Sequence, residues 1–412
     1  MTYIQFYGGI SIESVCACLA SPPEKLIIIG SDSKAMRRYA RAVAAMLHRR
    51  GTLIATEVRN VPENDLQAVY TLLCDLMNAE GKCSVCLNGG DEPSLVATGM
   101  IYEKYSTVPK LHRFDLNNGS VIDLHKDGRE ERFDAPAIRV DEMVALFGGK
   151  VVYENEKPDG TRIWNISDEL ITDAETAWNI CKVNPKTWNN LISALGVLLK
   201  YREETDGPAC TMKADEYERA MHRENGRAFY SDQIMRRLLK MGLIESYSRG
   251  DKFSVKFKNE QIMHILTVAG LALELKVYFA ALKASDNGVK TYDDVLQGVF
   301  VDWDGVVTKN GTTVDTENEI DIMMVRGGIP VFVSCKNGYF DSNELYKLSI
   351  VAERFGGRYA KKAIVASSLS QLGKAGQYIR ERADDMGITI IDDVRTSTDE
   401  ELVRQISALW TS

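Results

Sequence analysis

Long apolar runs are missing from this chain of 412 residues. No stretch of roughly eighteen uncharged apolar residues occurs, so no transmembrane helix is expected. Residues 1–10 read as a strand and lack a basic segment followed by a cleavage site, which makes a cytoplasmic protein the default expectation. A basic excess is missing as well: 50 Lys and Arg stand against 58 Asp and Glu, a formal net charge of −8. Nonspecific binding to nucleic acid rests on neutralising phosphates, so constitutive binding is disfavoured and a local basic groove or a gated contact fits better. A disulfide framework is missing: Cys16, Cys18, Cys74, Cys83, Cys86, Cys181, Cys210 and Cys335 are scattered along a chain without a secretory signal, and reduced thiols are expected. Cys83 and Cys86 form a lone CxxC with no second pair or histidine cluster, and they read as two thiols on a buried strand rather than a zinc site. The GxGxxG fingerprint is also missing, which argues against NAD or FAD.

What is present is the composition of an ordinary soluble protein, 45% hydrophobic and 26% charged. The length suits two or three domains of about 100–200 residues. The pattern divides into residues 1–148, 149–260 and 261–412.

In the first segment, strands at residues 3–7, 25–29, 53–58 and 83–87 alternate with helices at 12–20, 34–49, 64–79 and after Pro93. This βαβα order predicts an α/β, Rossmann-like doubly wound parallel sheet. Such sheets bind ligands beyond the carboxyl ends of their strands. Three of those ends carry small residues: Gly8, Gly9, Ile10 and Ser11; Gly30 and Ser31; and Asn88, Gly89 and Gly90, followed by Asp91 and Glu92. One glycine pair is ordinary turn chemistry. Three on one edge point to a nucleotide site, because glycines let a backbone and its amides approach phosphate closely.

In the second segment, helices at 168–182 and 188–199 precede a polar loop at 200–209. A helix at 231–241 follows, then a hairpin over 244–257 that turns at Arg249-Gly250-Asp251. This order resembles the second half of a winged helix, a module that binds DNA or serves as a connector. Arg236, Arg237 and Arg249 would be its DNA-reading residues.

The third segment opens with a strongly apolar helix predicted over 262–282, which carries Glu274 between Leu273 and Leu275. A carboxylate there must be paired, protonated or metal-bound, or lie on a narrow polar face beside Lys276. Next come a strand from Asn318-Glu319-Ile320-Asp321, a turn at Arg326-Gly327-Gly328, and a partner strand ending in Ser334-Cys335-Lys336. An Asp on one strand and a Lys at the end of the next is the arrangement of the PD-(D/E)xK nucleases. Phosphodiester hydrolysis needs a divalent cation, carboxylates hold Mg²⁺ or Mn²⁺, and a lysine orients water and offsets phosphate charge. Residues 334 and 336, two apart on a strand, face the same way. The acid expected at 334 is a serine. Glu274, Glu319 or Glu344 could supply the missing carboxylate, and the backbone oxygen of Cys335 a further ligand. A helix over 344–355 and a basic cluster of Arg354, Arg358, Lys361 and Lys362 are expected to support a nucleic-acid cleft.

Together these motifs resemble the CRISPR-associated nucleases that join a CARF domain, a Rossmann-like sensor, to a restriction-endonuclease-like domain. The resemblance rests on Asn318-Glu319-Ile320-Asp321, Ser334-Cys335-Lys336-Asn337-Gly338, Glu344-Leu345-Tyr346-Lys347-Leu348 and Ala352-Glu353-Arg354-Phe355-Gly356-Gly357. In the sensor it rests on the loop at 8–11 and the turn at Asn88-Gly89-Gly90, where the family's Thr-Gly-Gly-Thr-Lys is replaced by Asn88-Gly89-Gly90-Asp91-Glu92. It implies a CARF sensor at 1–148, a winged-helix-like connector at 149–260 and a nuclease domain at 261–412. It further implies a homodimer that binds a cyclic oligoadenylate, with cyclic tetra-adenylate as the expected ring, and then cuts single-stranded or supercoiled DNA, RNA or both in type III CRISPR defence. Asp321, Lys336, Glu274, Ser334 and Glu344 would be the catalytic set, and Asp321, Glu274, Cys335 and Glu319 the metal set. Two other functions suit the same sequence: a ligand-responsive, non-enzymatic DNA-binding regulator, and an ungated repair-type nuclease.

Overall fold

Thr2–Phe6 (β1) is buried at every position, the pattern of a strand covered on both faces. A computed structural model of the protein, which describes residues 1–105, 109–115, 120–125, 127–134, 136–202, 207–224, 230–286, 288–306 and 317–411, places β1 in the interior of a seven-stranded sheet. Its other elements are α1 (Ile12–Ala20), β2 (Lys25–Gly30), α2 (Ser33–Arg49), β3 (Ala55–Asn60), α3 (Leu66–Glu80), β4 (Cys83–Cys86), α4 (Glu92–Lys104), β5 (Lys110–Asp115), β6 (Ser120–Leu124), β7 (Glu130–Asp134) and α5 (Val140–Leu146). The order β3-β2-β1-β4-β5-β6-β7 is Rossmann-like, parallel from β3 to β5 and antiparallel at β6 and β7. The chain winds outward from β1 through β2 to β3, then returns to lay β4 on the other side. The switch in direction therefore falls between β1 and β4, where open α/β sheets bind ligands. Cys83 and Cys86 are buried on β4.

The strand β8 (Lys150–Val151) leaves this unit and pairs with a strand of the third sheet. Then come α6 (Asp168–Cys181), α7 (Pro185–Lys200), β9 (Ala209–Lys213), α8 (Ala214–Arg223), α9 (Asp232–Lys240), β10 (Ile244–Arg249), β11 (Lys252–Phe257) and α10 (Glu260–Ile265). The hairpin expected over 244–257 is present, and β9 completes a three-stranded antiparallel sheet in the order β10-β11-β9. Two of the proposed DNA-reading arginines are engaged within this fold: Arg236 pairs with Asp232 at 2.6 Å, and Arg249 stacks over the Tyr230 ring.

The apolar helix expected over 262–282 is two helices. α10 ends at Ile265 and α11 (Leu271–Lys283) begins after Gly270, whose φ of +91° no other residue adopts readily. Apolar residues run through the break, so periodicity alone conceals it. The remaining elements are β12 (Ser285–Asp286), β13 (Val289–Lys290), β14 (Asp294–Asp302), β15 (Glu317–Arg326), β16 (Ile329–Lys336), α12 (Asn343–Gly356), β17 (Lys361–Ala366), α13 (Lys374–Asp385), β18 (Ile388–Ile391) and α14 (Asp399–Ala408). β12 and β13 pair with each other, and the other strands join β8 in a mixed sheet, β18-β17-β16-β15-β14-β8. Ile322, Met324, Val331 and Val333 pack with α11 in one core, while Met323, Val325 and Phe332 face α12 in another. The second core is continuous with Ile12, Val15 and Cys16 of α1 and Val140 and Val144 of α5, so the first and third sheets share apolar packing. Among the described residues, no helix is long and apolar enough to cross a membrane.

Candidate active site and ligand edge

The strands β15 and β16 pair from Arg326↔Ile329 to Ile322↔Val333 and then part. Beyond that point β15 follows β14 as far as Glu317↔Asp302, while β16 follows β17 as far as Lys336↔Ala366. The sheet therefore splits, and amides that a ladder would have used face the opening. Asp321 fills it. Its Oδ2 accepts from the Cys335 amide at 2.5 Å and from the Ser334 hydroxyl at 3.1 Å. Glu319 lies two residues back on β15, and Lys336 two residues beyond Ser334 on β16. The Lys336 Nζ meets Glu344 Oε2 at 2.6 Å, and the other Glu344 oxygen holds Lys347 at 2.7 Å. These groups wall a cleft of about 660 Å³, closed on the α12 side by Leu348 and Val351.

Glu274 stands behind this wall. It is 9% exposed, and its Oε2 accepts from Gln297 Nε2 at 2.7 Å. The Gln297 carbonyl oxygen is fixed in turn by Trp164 Nε1 at 2.8 Å. Lys276 is no partner to it, being paired with Glu175 and Asp399. Burial, then the charges of Asp321 and Glu319, push the Glu274 carboxyl well above the usual range. Burial raises Asp321, against the pull of Lys336 and the Cys335 amide. Burial and then Asp321 raise Glu319. Lys336 moves the other way from a desolvated amine: burial lowers it, but Asp321 and Glu344 together hold it above the ordinary lysine value. Burial opposes ionisation of Glu344, yet Lys336 and Lys347 keep it below the usual range. The cleft thus carries crowded carboxylates on one strand and a protonated lysine on the other.

Gly270 makes the Glu274 placement possible. A Cβ there would stand 2.9 Å from Glu274 Oε1, on a backbone at φ +91°. Gly270→Ala is expected to destabilise the protein by about 1–3 kcal/mol, read as a lower midpoint in chemical denaturation. An unchanged midpoint would mean that the turn and Glu274 are not coupled.

At the switch point of the first sheet, the loops after β1 and β4 touch. A Cβ on Gly8 would meet the Gly89 carbonyl oxygen at 2.9 Å, and one on Gly89 the Phe6 carbonyl oxygen at 3.0 Å, so both positions require glycine. Two pockets adjoin this contact. One, of about 640 Å³, takes Gly30, Ser31, Asp91 and Ser94 into its wall together with Tyr7, Glu63 and Asn64. The other, of about 600 Å³, is lined by Gly8, Gly9, Ile10, Ser11 and Glu13 on one side and Phe147, Gly357, Arg358 and Tyr359 on the other. Asn88, Gly90 and Glu92 line neither pocket. The Asn88 side chain accepts from the Phe114 amide at 2.7 Å and braces the turn, Gly90 packs against Phe6 and Ser94, and Glu92 opens α4.

Three members of the basic cluster are engaged within the fold. Arg354 donates to the Phe147 carbonyl at 2.5 Å and the Trp303 carbonyl at 3.0 Å, Arg358 pairs with Glu13 at 2.7 Å, and Lys362 donates to the Met386 carbonyl at 2.7 Å. Two of these arginines bind the first unit to the third. The exposed cation at the cleft is Lys347, in the Glu344-Leu345-Tyr346-Lys347-Leu348 string. Glu13, Arg358 and Tyr359 were not legible as pocket residues, because their meeting depends on how the first and third sheets dock.

No family model matches the sequence, and no curated protein matches it. Among solved structures, the protein VC1899 from Vibrio cholerae matches with a TM-score of 0.72 at 16% identity, covering 100% of this chain and 98% of that one. Can2 from Sulfobacillus thermosulfidooxidans, in complex with cyclic tetra-adenylate, matches with a TM-score of 0.64 at 15% identity, covering 98% of this chain and 99% of that one. The chain has the fold of these proteins from end to end.

Proposed function

We propose that this protein is a CRISPR effector nuclease switched on by a cyclic oligoadenylate, cyclic tetra-adenylate in the first instance, that cleaves DNA, RNA or both. The observation that carries this reading is the split between β15 and β16, which sets Asp321 and Glu319 opposite Lys336 in an open cleft. The glycine contact at the switch point supports a ligand site with close backbone approach, and a solved structure of the same fold holds cyclic tetra-adenylate. A homodimer suits a ligand with two-fold symmetry. Leu95, Val96 and Met100 offer it an apolar strip, each more than 40% exposed on α4 directly after the Asn88 turn.

Among the described residues, no ready-made group of three or more His, Cys, Asp or Glu side chains surrounds a cation position. The donor chemistry nevertheless fits a hard divalent ion. Asp321 and Glu319 are carboxylates whose ionised forms are disfavoured by burial and by neighbouring carboxylates, Glu344 for Asp321 and Asp321 for Glu319, a cost that bound Mg²⁺ or Mn²⁺ would relieve. Asp321 and Glu319 would hold the ion, with Glu274 or Glu344 as the further carboxylate. When bound, it would lower the pKa of water and stabilise charge on the phosphate. Ser334 replaces an acid and acts through its hydroxyl, which orients Asp321. Lys336, protonated, would donate to a phosphate oxygen or to the attacking water once Glu344 lets it go. The segment from 149 to 260 serves as connector.

The test is a cleavage panel with Mn²⁺, single-stranded DNA, supercoiled DNA and RNA, with and without cyclic oligoadenylates. Cyclic tetra-adenylate is expected to raise cleavage of at least one substrate tenfold or more. Cleavage under no messenger and no metal condition would refute the proposal. Equal cleavage with and without messenger would favour an ungated nuclease.

A further inference from the structure

Both supports of the cleft are rooted on α1, the helix that follows the glycine loop of β1. The β15–β16 hairpin reaches it by its turn: a Cβ on Gly328 would stand 3.0 Å from both Cys16 Sγ and Ile12 Cγ1. The helix α12 reaches it by its last residues and the 3-10 turn Gly357–Tyr359. There Arg358 Nη2 meets Glu13 Oε1 at 2.7 Å, the Tyr359 hydroxyl donates to the same oxygen, and the Ser11 hydroxyl donates to Glu13 Oε2 at 2.9 Å. The partners differ sharply in exposure: the Glu13 side chain is 2% exposed and that of Arg358 is 68% exposed. A buried carboxylate therefore holds an arginine that borders a pocket of about 600 Å³, whose opposite wall is the loop of Gly8, Gly9, Ile10 and Ser11. The carboxylate offers Arg358 what a phosphodiester would offer, an anionic oxygen in hydrogen-bonding range.

We propose that Arg358 is a ligand-contacting residue, and that a phosphate of the activating nucleotide takes its guanidinium from Glu13. The inference rests on the proposed function and adds its switch. An arginine is suited to the exchange, since its planar donors pair with phosphate as well as with carboxylate. The exchange frees the turn that ends α12. That helix, 14 residues and about 21 Å long, carries Glu344 in its first turn, where it pins Lys336. The Glu13 clasp thus holds one end of α12 and the Lys336 ion pair the other. In the proposed switch α12 moves as one body, so a ligand that breaks the first favours release of the second, and by linkage release of the second tightens binding of the ligand.

Three variants test this with cyclic tetra-adenylate as titrant, by calorimetry and by the cleavage panel on the full chain. Glu13→Gln keeps the side-chain size and removes the competing charge. It is expected to bind the ligand about tenfold more tightly and to raise ligand-free cleavage in parallel. Tyr359→Phe, which keeps the ring packing, is expected to shift both readouts the same way by a smaller factor. Arg358→Ala is expected to bind tenfold or more weakly and to lose its response to ligand. If the wild type is activated while Arg358→Ala and Glu13→Gln keep its affinity and activation ratio, the exchange is overturned. Weaker binding by Glu13→Gln overturns it too, because Glu13 would then be a ligand contact itself. A wild type that neither binds nor cleaves removes the proposed function, and this switch with it.

Discussion

Asp321→Asn is expected to reduce cleavage by roughly three orders of magnitude or more while leaving the protein as stable as before or slightly more so. The loss follows from the charge at the split of the sheet. Asp321, on one strand of the cleft, is the carboxylate that the other strand addresses, through the Cys335 amide and the Ser334 hydroxyl. An amide in its place binds a divalent ion poorly, and metal stabilisation of phosphoryl charge is worth several kcal/mol, at about 1.4 kcal/mol per decade of rate. The gain in stability follows from the same crowding. Asp321 is raised by burial and in turn raises Glu274 and Glu319. A carboxyl whose folded pKa lies above its unfolded value penalises the fold where it is ionised. The penalty is full above the folded pKa and gone below the unfolded one, so stability should increase as pH falls through that window. Asparagine removes the charge yet keeps an oxygen for the Cys335 amide. Asp321→Ala loses that acceptor as well and is expected to cost about 1–3 kcal/mol through an unpaired amide. The check is a paired measurement of cleavage with Mn²⁺ and of the thermal midpoint in metal-free buffer. An Asp321→Asn variant that cuts at wild-type rate would move the metal site elsewhere.

The parts legible in the sequence were those carried by local pattern. Strands such as residues 25–29 and 83–87 are predominantly apolar runs between turn residues, and Lys25–Gly30 and Cys83–Cys86 are strands in the structure. Asp321 and Lys336 were legible because their chemistry sits on two strands joined by a short glycine turn. Glu274 was legible as an anomaly, an acid in an apolar helix, but its partner Gln297, and Trp164 that fixes Gln297, lie far along the chain and gave no signal. The break at Gly270 was hidden because the residues on both sides are apolar and a single glycine is tolerated in a helix pattern. The partners of the basic cluster were hidden for a related reason. Composition reports that Arg354 and Arg358 are charged, whereas their role is set by carbonyls of Phe147 and Trp303 and by Glu13, which only the docking of the two sheets brings near.

Lys336→Gln is the second large effect, with an expected loss of two to four orders of magnitude, the usual range for a positioned proton donor or acceptor. Its shape with pH separates the roles open to a lysine. Asp321 and Glu344 hold Lys336 above the ordinary value of 10.5, so in the proposed mechanism it would be charged throughout the neutral range and would serve as a donor to phosphate or water, not as the base. The wild-type rate should therefore fall on the acid side, as Asp321 and Glu319 take up protons below their raised values and lose the cation. On the alkaline side of that limb it should stay level for as long as Lys336, held above the ordinary lysine value, keeps its proton. Because protons and metal compete for the same carboxylates, a higher Mn²⁺ concentration should move the acid limb to lower pH. Lys336→Gln should lower the whole profile and leave the acid limb in place. An alkaline limb near neutrality that disappears in Lys336→Gln would contradict this, and would mean that the lysine sheds its proton during turnover. Glu344→Gln refines the assignment. If the Glu344 pair at 2.6 Å restrains Lys336, cleavage without messenger should rise, whereas a loss comparable to that of Asp321→Asn would place Glu344 among the metal ligands.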